Sequence, residues 1–193
     1  PPPPPENQMG ALCVHVIEAR DLPQPEGITQ EIKPYVCVSA IDNPGGLDPS
    51  YFPSLEHMMY KQDSGRPPRL GRFEPECSTV VKEGPNPVYN AELEMSNAYP
   101  DLLTIESLMM EGKHYRAIPI TNQPLLLLIT VHDNEAESDS HALLGKVVLP
   151  SISPGPPTTQ WCLLTSKDGV PLTGKNGKPS SVHLRLAYTG WGG

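Results

Sequence analysis

Residues 182–188 alternate without a fault. Val182, Leu184, Leu186 and Tyr188 are large and apolar, while His183 and Arg185 are polar and Ala187 is small. Alternation with a period of two sends the two sets of side chains to opposite faces of an extended strand, a pattern that a helix cannot satisfy. A similar pattern stands near the start, where Leu12, Val14 and Val16 face one way and Cys13, His15 and Ile17 the other. Six further short runs have strand character: 35–41, 77–81, 89–95, 125–131, 145–149 and 161–164. β-Branched and aromatic residues suit such half-buried pleats. Among 193 residues stand 25 Pro and 16 Gly, many of them between these runs, where they interrupt any longer element. Eight short strands with Pro/Gly-rich connections predict an all-β fold, an eight-stranded antiparallel β-sandwich.

Two connections, 42–75 and 97–124, are too long for plain turns. The first contains Lys61, Arg66, Arg69 and Arg72. In the second, Leu102, Ile105, Leu108 and Met109 recur at helical spacing before Gly112, which predicts a short amphipathic helix over 101–111. Residues 1–5 are all proline, and 1–9 read as a proline-rich linker ahead of a single domain at 10–189, with 190–193 as a tail. The chain begins with Pro1 and reads as a segment of a longer protein.

Fourteen Lys and Arg against 22 Asp and Glu leave a net charge of −8. Nucleic acid is therefore not an expected partner, because basic side chains supply most of that affinity. A surface holding anionic lipid by bulk charge is disfavoured for the same reason. The longest apolar run, 125–129, is far shorter than the roughly 20 residues of a membrane span. Cys13, Cys37, Cys77 and Cys162 are widely spaced, with no C-x-x-C pair, and read as free thiols in a reducing compartment rather than zinc ligands. No phosphate-binding G-x-x-x-x-G-K, no G-x-S-x-G and no H-E-x-x-H occurs. His132 and Asp133 are adjacent, and neighbours on a strand point to opposite faces, so they do not read as a catalytic dyad. Cys162 reads as core, and His15 and His183 as structural. The chain is expected to be neither an enzyme nor dependent on a cofactor.

Several stretches occur in a telling order. GALCVHVIEARDLP is followed by KPYVCV, then VVKEGPNPVYNAELEM, LLLLITVHDNE, ALLGKVVLP, QWCLL and SVHLRLAY. The set resembles the C2 domain, the conserved-region-2 module of protein kinase C, in its type II order. The N-P-V-Y-N segment followed by L-L-G carries most of the likeness. The resemblance implies an eight-stranded sandwich, in line with the strand count above.

In calcium-binding relatives, aspartates on loops at one end of the sandwich hold the metal, since Ca²⁺ needs six to eight oxygen ligands. By that resemblance the ligand positions fall on Glu26, Lys33, Asp133, Glu135 and Ala142. One aspartate is kept, two are replaced by glutamate and two are lost, with Asp139 and Glu137 as nearby substitutes. Lys33 is the heavier departure: two like charges about 4 Å apart repel by several kcal/mol even at an effective dielectric near 20. The expectation is a module that works without calcium. The family's other lipid route, a basic cluster on the strands beside the N-P motif, is represented by Lys82 alone.

Strand counting sends both long connections, and the termini, to the end opposite the calcium loops. Lys61, Arg66, Arg69 and Arg72, with Lys113, His114 and Arg116, are the candidate partner-binding residues there. The reading is a non-catalytic interaction module of a larger cytoplasmic protein, peripheral to a membrane or cytoskeletal structure. Its partner would be another protein or, more weakly, membrane phospholipid. One alternative is a calcium-assisted phospholipid-binding domain using Glu26, Asp133, Glu135 and Asp139. Another is the targeting domain of an enzyme, such as a lipid kinase, a GTPase-activating protein or a ubiquitin ligase, whose catalytic part lies elsewhere.

Overall fold

The computed structural model describes residues 11–25, 29–42, 76–96, 113–117, 124–134 and 142–189. Their strands, in chain order, are β1 (Ala11–Arg20), β2 (Pro34–Asp42), β3 (Glu76–Ser78), β4 (Val88–Ser96), β5 (Lys113–Ala117), β6 (Leu125–Asp133), β7 (Ala142–Ile152), β8 (Thr158–Leu163) and β9 (Ser181–Thr189). Two sheets result, a five-stranded one in the order β5-β4-β1-β9-β8 and a four-stranded one in the order β3-β2-β6-β7. The helix expected over 101–111, the linker at 1–9 and the tail at 190–193 lie outside the described residues.

β1 is the centre of the larger sheet. Leu12, Val14 and Val16 are fully buried, as their alternation requires. Both of its ladders skip Ile17, so a β-bulge shifts the phase and the next inward residue is Ala19 rather than Glu18. Across the ladder, Tyr188, Leu186, Leu184 and Val182 lie opposite Leu12, Val14, Val16 and Ala19, and all eight belong to the core.

β6 behaves differently: every one of its nine residues is buried. Leu125, Leu127, Ile129 and Val131 enter the core between the sheets, and Leu126, Leu128, Thr130 and His132 are buried as well. A continuous apolar run is what a strand covered on both faces needs.

The N-P-V-Y-N segment is a structural fastener. The Pro87 carbonyl accepts the Ala19 amide at 3.0 Å. The Tyr89 hydroxyl crosses between the sheets to donate to the Pro34 carbonyl at 2.6 Å. Burial holds this phenol well above its ordinary pKa. Asn90 takes a left-handed backbone (φ 46), opposite the β1 bulge, a conformation that asparagine tolerates better than most residues.

β5 is a strand that the sequence pattern does not announce. It lies beside β4 and runs parallel to it, with Lys113 opposite Glu92 and Ala117 opposite Ser96. The expected sandwich is therefore present with one added edge strand and one parallel pair. A parallel neighbour demands a connection of about a dozen residues or more, and the chain has 16 residues between Ser96 and Lys113.

The hydrogen bonds also show which strand ends share an end of the sandwich. Lys82 donates to the Pro34 carbonyl, Gly84 to Ile32, Leu22 to Pro85 and Ala19 to Pro87. The end of β1, the start of β2 and the start of β4 therefore meet at one end, called here the loop end. β2 and β4 finish at the far end, where the connections beginning at residues 43 and 97 depart.

Candidate functional site at the loop end

Three loop regions of the loop end, 21–25 with 29–33, 79–87 and 164–180, are tied together through Asp21, which adopts a left-handed backbone (φ 53). Its amide donates to Asn86 Oδ1 at 2.9 Å, its Oδ1 accepts from Asn176 Nδ2 at 2.8 Å, and its carbonyl accepts from Ser180 Oγ at 2.5 Å. Gly174 is pressed against the same residue: a Cβ there would lie 2.8 Å from the Asp21 carbonyl oxygen. Between these loops opens a cleft of about 330 Å³, with Asp21, Gln24, Gln30, Glu31, Asn86 and Lys175 in its walls. Carboxylates, amides and one ammonium can bind a polar group. Among the described residues the cleft holds no pairing of a nucleophile with a base, so its chemistry is that of binding.

Also at the loop end stands Asp133, at the end of β6 and only 1% exposed. Its Oδ1 accepts the Lys33 amide at 3.0 Å, and the Asn134 amide donates to the Lys33 carbonyl at 2.9 Å. A buried carboxylate that accepts a backbone amide acts as a loop fastener through a charge-assisted hydrogen bond. The structure thus brings together two of the positions that the family uses for calcium, and one of them is a lysine. Ala142, a third, is the first residue of β7 and lies opposite Asp133 in the ladder. Glu26, Glu135 and Asp139 fall outside the described residues. Among those that are described, no three His, Cys, Asp or Glu side chains gather as a metal site would require. Asp133 and Lys33 by themselves do not fit a calcium ion, which needs several anionic oxygens and no cation in its shell.

His132 and Asp133 go separate ways. The His132 ring stacks on Tyr35 with centroids 5.4 Å apart and shares a hydrogen bond of 2.9 Å between Nε2 and Thr130 Oγ1. Cys162 is a buried free thiol, and burial pushes its pKa up. Such a thiol is a poor nucleophile, because the thiolate is the reactive form. Lys82 is exposed. Of the far-end candidates, Lys113, His114 and Arg116 lie on β5, opposite Glu92, Leu93 and Met95 of β4. Lys61, Arg66, Arg69 and Arg72 lie outside the described residues. Sequence reasoning misses the cleft, because Asp21, Asn86 and Asn176 are far apart in the chain. The one signal pointing to it is the Asn-Gly turn at 176–177, which also reads as an ordinary hairpin.

The architecture and these loops define a C2-type β-sandwich. In agreement, the family model described as C2 domain matches residues 10–46. A C2 domain of plant extended synaptotagmin 1 superposes with a TM-score of 0.52 at 15% identity, over 95% of this chain and 97% of that one. Human GIVD cytosolic phospholipase A2, solved with methyl gamma-linolenyl fluorophosphonate, superposes with a TM-score of 0.51 at 12% identity. That match covers 96% of this chain and 18% of the phospholipase, so the chain spans less than a fifth of the enzyme. No curated protein matches the sequence. Likeness at these identities establishes the fold and leaves the activity of the larger protein open.

Proposed function

We propose that this chain is a non-catalytic C2 module that positions its parent by contacting another protein, or more weakly a phospholipid surface, without calcium. The Asp133–Lys33 contact carries the reading. The one retained aspartate among the described residues spends an oxygen on a backbone amide, and the residue it fastens bears a cation. Reclaiming that carboxylate for a metal would cost the loop hydrogen bond and oppose Ca²⁺ with Lys33. The chain's charge of −8 further disfavours adhesion to anionic lipid by bulk attraction. Within this reading the parent works in the cytoplasm, peripheral to a membrane or cytoskeletal structure, and the far-end basic residues Lys61, Arg66, Arg69, Arg72, Lys113, His114 and Arg116 are the partner contacts.

The test is sedimentation with phosphatidylserine-containing vesicles, in calcium and in chelator, combined with calcium titration calorimetry. The expected result is equal pelleting in both conditions and no calcium heat. A calcium Kd below about 10 µM, inside the sensor range, overturns the proposal and favours a calcium-assisted phospholipid-binding domain using Glu26, Asp133, Glu135 and Asp139.

A further inference from the structure

An exposed sheet edge is a row of unpaired backbone donors and acceptors, and proteins usually guard it with charge, proline, brevity or cover. Three of the four edge strands here carry such a guard. β3 has only 3 residues. β5 carries Lys113 and Arg116. β7 contains Pro150, and its Lys146 exchanges two backbone hydrogen bonds with Thr165, at 2.9 and 3.0 Å. The fourth, β8, reads TTQWCL, with neither charge nor proline, and among the described residues it pairs with β9 alone.

The open side of β8 follows from its register. The Leu164 amide donates to the Ser180 carbonyl, and Cys162 and Gln160 lie opposite Val182 and Leu184. Alternation along an antiparallel ladder makes these the hydrogen-bonded pairs. The amides and carbonyls of Thr159, Trp161 and Leu163 therefore point away from β9, on the side where Thr165, just beyond the strand, pairs with Lys146, and no described residue joins a ladder with these three. Their side chains share the outer face, where Trp161 is 43% and Leu163 63% exposed. Trp161 is held in place by two partners: the His183 ring stacks on it at 4.2 Å, and the Arg20 guanidinium stands 4.7 Å from its centroid. Arg20 is in turn bonded to Glu18 at 2.8 Å. An aromatic side chain fixed in this way loses little further freedom when it is covered.

We propose that β8 is a self-association edge, at which a second copy of this chain adds its own β8 antiparallel, about a twofold axis through Trp161. Such an isologous contact is self-complementary. Trp161 meets its counterpart as a hydrogen-bonded pair, Thr159 meets Leu163 on each side, and the two five-stranded sheets become one. Pro157, immediately before β8, ends the ladder and disfavours slipped registers. A second copy suits this edge because nothing in β8 is charged. The nearest cation, the Arg20 guanidinium 4.7 Å from the Trp161 centroid, is paired with Glu18 at 2.8 Å, and Arg185 on β9 stands three strand spacings from its counterpart, about 14 Å and beyond the roughly 8 Å Debye length at physiological salt. The net charge of −8 per copy opposes the contact at long range, so added salt should strengthen it.

The experiment is sedimentation velocity of the 193-residue chain across about 5–500 µM, at low and physiological salt, paired with amide exchange at both ends of the concentration range. Expected are a mass rising toward the dimer, a steeper rise with salt, and concentration-dependent protection of the Thr159, Trp161 and Leu163 amides, those of Gln160 and Cys162 being protected throughout. Thr159→Lys and Leu163→Lys place guards at exposed positions outside the core and should each weaken association about tenfold or more. A monomer at every concentration overturns the proposal. So does a dimer that leaves those three amides unprotected, or a dimer for which both lysine variants associate like the parent.

Discussion

β6 and β9 are both nine residues long and both lie in the middle of a sheet, yet they are buried in different ways. Along β9 burial alternates, with Val182, Leu184, Leu186 and Tyr188 inside and Arg185 and Thr189 outside. Along β6 nothing is outside. Leu184 and Leu127 both enter the same core, but their strand neighbours do not share that fate. Alternation in a sequence thus reports a strand with one wet face, and an unbroken apolar run reports a strand with none. The two also differ in their ends. β9 closes against β1 and β8 through backbone ladders, whereas β6 ends in Asp133, a carboxylate that fastens a loop 100 residues earlier in the chain.

A truncation scan along the two strands breaks or sharpens this contrast most strongly. Leu127→Ala and Leu128→Ala in β6 should each lower unfolding free energy by about 2–5 kcal/mol in urea titration, even though they point to opposite faces. In β9, Leu184→Ala should cost a similar amount while the adjacent Arg185→Ala stays within about 0.5 kcal/mol. A neutral Leu128→Ala would mean that β6 has a second face like that of β9.

Next in size is Tyr89, which joins the two sheets that hold these strands. Tyr89→Phe should cost about 1–2 kcal/mol by removing one of the two donors to the buried Pro34 carbonyl, the Lys82 amide being the other. The pH dependence has a definite sign. The folded-state pKa of this acid is raised by burial, so the unfolded chain loses the proton first. The full stability is present below the ordinary phenol range and is lost as pH rises through it. Cys162 acts in the same direction, beginning in the thiol range. Alkaline unfolding followed by circular dichroism should therefore be shallower in Tyr89→Phe than in the parent.

Smaller still is the loop fastening. Asp133→Ala should cost about 1–3 kcal/mol, by leaving the Lys33 amide without its acceptor, whereas Asp133→Asn, which keeps an acceptor oxygen, should recover most of it. Equal losses for the two variants in thermal unfolding would show that the charge matters and not the hydrogen bond.

The period-two stretches in β1 and β9 are legible because each has one dry face and one wet one, and the N-P-V-Y-N segment because its role requires those residue types together. The bulge at Ile17 is not legible. Nothing in VHVIEAR distinguishes a strand that skips a residue from one that does not, and only the ladders with β4 and β9 decide it. β5 is hidden for a related reason: its sequence, KHYRA, has no apolar alternation, and an edge position supplies its hydrogen bonds without requiring any. At the loop end, resemblance singles out Asp133 and Lys33 individually, while their mutual hydrogen bond emerges only in three dimensions.

What the sequence by itself determined is the set of strands with a hydrophobic face, the absence of recognisable catalytic motifs, and the acidic balance, because each depends on residue type and near-neighbour spacing alone. The tertiary structure decided the rest. It chose which strand is covered on both faces, where the parallel strand attaches, and that Asp21, Asn86 and Asn176 meet around one cleft. Among the described residues it also left β8 as an edge strand with neither charge nor proline. These depend on contacts between residues 65 and 155 positions apart, and on the directions in which backbone groups point, which no local pattern encodes.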